Sequence, residues 1–206
     1  MTSSGTTRSP ASEAALGFRS HSGWSVLVAL AGPPAEPAVL LRRRVELVRR
    51  SPKQPFHAAE ARPFAAAEAL IRRSFDEATA LAERAVQEAL AELKGQGLAR
   101  VASGHLLAAG RPLPDLRDIL ASHALIHAAE GELFRDALRQ ASRRCGLGLT
   151  EVRERELDEV AAKSLGHAPD EIRRHLAEWG KALGPPWTQD EKRAALVAWL
   201  ALNAGA

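Results

Sequence analysis

At 206 residues the chain can close a hydrophobic core without a disulfide or structural metal, and its 46% hydrophobic and 26% charged residues are those of a globular protein. A single cysteine, Cys145, excludes an internal disulfide framework and suits a reducing, cytoplasmic setting. The 28 Lys+Arg against 25 Asp+Glu leave a net charge of only +3, and the Ala- and Arg-heavy composition reads as GC-rich coding rather than as function.

The chain opens MTSSGTTRSPASEAA, with no basic start followed by an apolar stretch, so no secretory leader is expected; residues 1–14 are too polar to order themselves and read as a flexible tail. A single domain is expected over 15–206. Leu16–Ser20 and Trp24–Leu30 are strand candidates joined by a His21-Ser22-Gly23 turn, and a third run follows from Val39 to Val48 after Gly32-Pro33-Pro34 and Pro37. Three strands joined by short turns make an antiparallel meander. Pro55 and Pro63 bracket a loop that carries His57 and Glu60. From Phe64 to about Lys94 the spacing of Leu70, Phe75, Leu81, Val86, Leu90 and Leu93 predicts a long helix, stopped by Gly95 and Gly97.

Arg100–Ala108 reads as a buried parallel strand. Pro112 and Pro114 begin a loop, with Asp118 as a candidate cap. Ser122–Arg144 is a second helix, Leu147–Val152 a fifth strand candidate, Asp158–Ser164 a short helix or turn and Asp170–Leu183 a helix. Thr188 with Glu191 three residues on is a capping box opening a last helix to Ala201. The echo of Phe56-His57-Ala58-Ala59-Glu60 in Ile126-His127-Ala128-Ala129-Glu130 is too short, in so Ala-rich a chain, to count as a repeat. The longest apolar runs, Trp24–Ala31 and Ala194–Leu202, fall short of the ~20 residues of a membrane span, so no membrane partner is expected. The fold class is α/β, a mixed five-stranded sheet (antiparallel meander, then parallel strands) flanked by helices.

That order resembles the ribonuclease-H-like superfamily, and within it the RuvC-type Holliday-junction resolvases. Gly17-Phe18-Arg19, the His21-Ser22 turn and Gly23-Trp24 resemble that family's Gly-hydrophobic-Asp strand, turn and Gly-aromatic second strand. Ala128-Ala129-Glu130-Gly131 resembles the small-residue middle of its second helix, Thr150-Glu151-Val152 its fifth-strand ending, and Asp190-Glu191-Lys192-Arg193-Ala194-Ala195 its capped last helix. The resemblance implies carboxylates holding two Mg²⁺ or Mn²⁺ ions, one activating water and one stabilising the leaving oxygen. Carried over position by position, the first acid is Arg19 (or Ser20), the second falls near Gly104, the third is kept as Asp190 and the fourth is Arg193. The resemblance therefore implies a pseudo-nuclease with a degenerate acidic site, associated with DNA repair or recombination, with structured DNA or RNA and a second copy of the chain as its partners.

Two other readings stay open. In one, a metal-dependent nuclease or hydrolase is rebuilt on His21, His105, Glu130 and Asp190, which converge if the fold is right. In the other, the chain is a structural or interaction module. His123, His127 and Glu130 lie at i, i+4 and i+7 on one helix face, a spacing at which imidazoles share a metal or simply line a helix–sheet seam. Glu130, ringed by Ile126, Leu133, Phe134 and Ala137, is expected to be at least half buried and to need a partner, with His127 or an Arg from the sheet the natural one. Arg42, Arg43, Arg44, Arg49, Arg50 and Lys53 stand against only Glu46, so residues 38–54 carry +5, more than the whole chain's +3. Such a cluster binds phosphate backbones or guards an edge strand from pairing. Trp179, Trp187 and Trp199 read as core and seam residues, and Cys145 as structural.

Overall fold

The computed structural model describes residues 13–108 and 112–205. Three strands, β1 (Ala14–His21), β2 (Trp24–Ala31) and β3 (Ala38–Glu46), form the antiparallel meander. β1 begins at Ala14, already fully buried, so the core starts inside the stretch read as a tail; the rest of that stretch, residues 1–12, lies outside the described residues. Gly23 makes the β1–β2 turn at φ +83°, in the left-handed region that glycine enters without a Cβ penalty. β4 (Val101–Leu107) and β5 (Gly148–Arg153) add in parallel beside β1, giving the order β3-β2-β1-β4-β5. The basic third strand is therefore an edge.

Seven helices complete the described fold: α1 (Pro55–Ala59), α2 (Phe64–Gly95), α3 (Leu116–Leu120), α4 (His123–Arg144), α5 (Leu157–Leu165), α6 (Pro169–Leu183) and α7 (Gln189–Ala204). Two of them correct the sequence reading. The Pro55–Pro63 loop holds the one-turn α1, started by proline at its first position, and α3 is capped by Asp115 rather than Asp118.

Strand alternation divides the core. Ala14, Leu16, Phe18, Leu27 and Ala29 face α2 and α4, whereas Ala15, Val26, Val28 and Leu30 face α5, α6 and α7. From Ala194 to Leu202 every residue of α7 is buried, so this helix is apolar on all sides. Its backbone lies directly on the sheet because Gly17 and Gly104, paired in register on β1 and β4, leave room for it. A Cβ on Gly17 would run into the Ala194 carbonyl and one on Gly104 into that of Val197. Two glycines thus set where the first turn of α7 falls.

Candidate functional site

That turn falls over the end of β1. Thr188 caps α7, its hydroxyl accepting from the Asp190 backbone N–H (3.2 Å), while the Glu191 carboxylate accepts from the Thr188 N–H at 2.7 Å. Arg19 and His21 leave β1 on the face that carries Gly17, toward α7. His21 Nε2 stands 3.0 Å from Asp190 Oδ1, and Arg19 Nε 3.8 Å from the same oxygen. The outer end of Arg19 reaches Glu154, just past β5, at 3.0 Å. Arg193 donates to the Glu154 carbonyl (3.4 Å), with its Nε 4.0 Å from the carboxylate. Burial pulls the guanidinium of Arg135, on α4, below its ordinary value, with Arg19 and Arg139 adding to the effect and Glu132 and Glu154 opposing it.

On the other side the His21 ring stacks on Trp24 (centroids 4.2 Å, interplanar 9°), and Trp24 carries the Arg44 guanidinium at 3.7 Å. Two carboxylates, Glu154 and Asp190, thus face Arg19, Arg193 and the His21 ring. Such a set can hold an anion or rigidify the sheet end.

The structure brings His21 and Asp190 together and keeps His105 and Glu130 away from them. His105 is paired in register with Phe18, so alternation turns it to the α2–α4 side of the sheet, opposite Asp190. There it is 2% exposed, stacks on Phe18 with centroids 5.0 Å apart, and contacts Ser103 Oγ at 3.3 Å. Burial, reinforced by Arg139 and Arg143, lowers its pKa to about 3. The Ser103 hydroxyl is spent on the Gly148 carbonyl, so it accepts from a neutral His105 protonated at Nε2.

Glu130 is 3% exposed, in keeping with its place on the helical net. Its partner is neither His127 nor an arginine of the sheet. Oε1 accepts from both the backbone N–H of His57 and its Nδ1, each at 3.0 Å, across a separation of 73 residues. Burial raises the Glu130 pKa, and the His57 contacts only partly offset this. His57 also meets the predicted pair. His57, His123 and His127 each offer a ring nitrogen within 4.8 Å of the others, and the Nε2 atoms of His123 and His127 are 3.0 Å apart. The two halves of the short sequence echo, around His57 and around His127, therefore pack together.

The basic run divides in two. Arg42 donates to the carbonyls of Gly184 (2.7 Å) and Pro186 (2.6 Å), Arg43 pairs with Glu92 (2.6 Å), and Arg44 pairs with Glu46 (2.6 Å) besides lying on Trp24. The backbone amides of Arg49 and Arg50 are held by Glu77, leaving their side chains exposed; Lys53 is exposed as well. No ion pair among the described residues engages these last three. Lys53, Ser22 and His57 line one open pocket, placing Lys53 beside the β1–β2 turn.

Arg19, Arg193 and Asp190 could be marked from the sequence through the resemblance, but Glu154 and His57 could not, since neither lies in a recognisable motif. Trp187 and Trp199 are seam and core residues as expected, their indoles donating to the carbonyls of Leu176 (2.6 Å) and Pro34 (2.7 Å). Burial raises the Cys145 pKa, consistent with a structural thiol.

The sheet order, the two helical layers and the seat of α7 define a ribonuclease-H-like α/β fold of the RuvC type. Among solved structures, the chain is similar to Thermus thermophilus RuvC, with 13% identity over 93% of this chain and 95% of that one (TM-score 0.54). It is equally similar to T. thermophilus RuvC in complex with Holliday junction substrate, at 12% identity over 93% and 94% of the two chains (TM-score 0.54). No family model and no curated protein matches the sequence. No helix among the described residues is long and apolar enough to cross a membrane.

Proposed function

We propose that this protein is a nucleic-acid-associated, RuvC-like pseudo-nuclease that binds structured DNA or RNA without cutting it. The observation that carries the reading is Arg19, whose guanidinium contacts Glu154 at 3.0 Å and lies 3.8 Å from Asp190. Two-metal hydrolysis needs oxygens converging on a pair of divalent cations. The donor set at the end of β1 does not fit such a pair, because a fixed positive charge occupies the space between the carboxylates and repels a cation. No hydrolytic step follows from it. The solved T. thermophilus RuvC complex with its Holliday junction substrate supports a junction-like nucleic acid as the ligand. The unpaired Arg49, Arg50 and Lys53 supply phosphate contacts. The same reading makes the protein a cytoplasmic repair or recombination factor, acting as a monomer or homodimer.

Fluorescence anisotropy of a four-way junction and a linear duplex across a salt series, with a gel assay for cleavage in Mg²⁺ and Mn²⁺, tests this. The expected result is junction binding that weakens steeply with salt and yields no product. Turnover abolished by Asp190→Asn would make the protein an active nuclease instead, and absence of binding at low salt would leave a structural module.

A further inference from the structure

The His57–His123–His127 cluster stands apart from the Arg19–Asp190 network and has the makings of a metal centre. We propose that these three imidazoles bind a divalent transition metal of the Zn²⁺ class, with Glu130 as the carboxylate that orients His57 and with the fourth position open to solvent.

Three features carry this. The first is donor chemistry and spacing. Zinc bound by histidine at about 2.0–2.1 Å holds its ligand nitrogens roughly 3.4 Å apart in a tetrahedron. All three donor nitrogens here lie within 4.8 Å of one another, two of them at 3.0 Å, so small side-chain rotations close the set. His123 and His127 are exposed and one helical turn apart on α4, free to make those rotations.

The second is orientation. Metal-binding histidines commonly donate their second ring nitrogen to a carboxylate, which fixes the tautomer. His57 does this, Nδ1 meeting Glu130 at 3.0 Å, which leaves Nε2 with its lone pair for the metal. The third is charge. Glu130 is buried, and its other oxygen, Oε2, has no hydrogen-bond partner. A buried carboxylate without a compensating cation is costly, and a dication held one imidazole away offsets that cost. Three neutral nitrogens select a borderline metal over Mg²⁺, which demands oxygen ligands.

Isothermal titration of the untagged full-length protein with Zn²⁺ and with Mg²⁺, together with the visible absorption of its Co²⁺ form, decides the matter. Expected are one Zn²⁺ per chain, no Mg²⁺ binding at this site, and a Co²⁺ spectrum of a four-coordinate, nitrogen-rich site. The double variant His123→Ala/His127→Ala should lose both Zn²⁺ binding and the Co²⁺ spectrum while keeping its circular dichroism, since both side chains are exposed. Glu130→Gln should weaken Zn²⁺ binding about 10- to 100-fold. Asp190→Asn should bind as the parent does, separating this centre from the sheet-end network and from the fate of the nucleic-acid reading. Absent Zn²⁺ binding, binding that survives the double variant, or binding lost in Asp190→Asn would each overturn the proposal.

Discussion

His105 is a basic side chain held neutral inside a core. An unfolded chain takes up a proton there near pH 6.5, whereas the folded one resists until about pH 3, so the unfolded state binds more protons across that interval and stability falls as pH falls through it. Substituting His105→Leu removes this dependence. Urea unfolding at a series of pH values should show the variant gaining on the parent by up to about 1.4 kcal/mol per pH unit below 6.5. Parallel profiles would refute the assignment. The sequence placed His105 on a strand near the right level, but which side of the sheet it faced depended on register with Phe18, a long-range pairing that periodicity within β4 does not contain. The same limit hid His57: its partners Glu130 and His127 are on another helix, and no local pattern on α1 points toward them.

The elements themselves were far more legible. Short apolar runs and tight turns marked the meander, the apolar spacing of Leu70 to Leu93 marked α2, and the Thr188–Glu191 box marked the start of α7 within a residue. What escaped were the single turns α1 and α3, too short to display a period. The contact between α7 and the sheet rests on Gly17 and Gly104, and overpacking it has nowhere to go because the obstacle is backbone. Gly17→Ala should therefore cost about 3 kcal/mol or more. Gly95→Ala, at the end of α2 with nothing within 4 Å of the added methyl, should stabilise by about 0.5–1 kcal/mol. Denaturant midpoints of the two variants compared with the parent check both signs, and a destabilised Gly95→Ala or an unaffected Gly17→Ala would contradict the packing argument.

For the molecule as a whole, the sequence's +5 run acquires a division of labour. Arg42, Arg43 and Arg44 are absorbed by the loop at 184–186, by α2 and by β3 itself, while Arg49, Arg50 and Lys53 stay outside. Replacing Arg49, Arg50 and Lys53 with Gln should lower the slope of log affinity against log salt for duplex DNA by roughly 0.9 for each phosphate that is no longer neutralised, with little change in melting temperature. Arg42→Gln should do the reverse, lowering the melting temperature and leaving the salt slope alone. Equal slopes in parent and triple variant would show that nucleic acid, if bound, is held elsewhere.

The seating of α7 also bears on biosynthesis. The last helix in chain order lies on β1, the first strand, and supplies most of the apolar cover for that side of the sheet. Until the ribosome has released those residues, Ala15, Val26, Val28 and Leu30 lack their main helical cover, so the nascent chain carries an adhesive flank until α7 emerges.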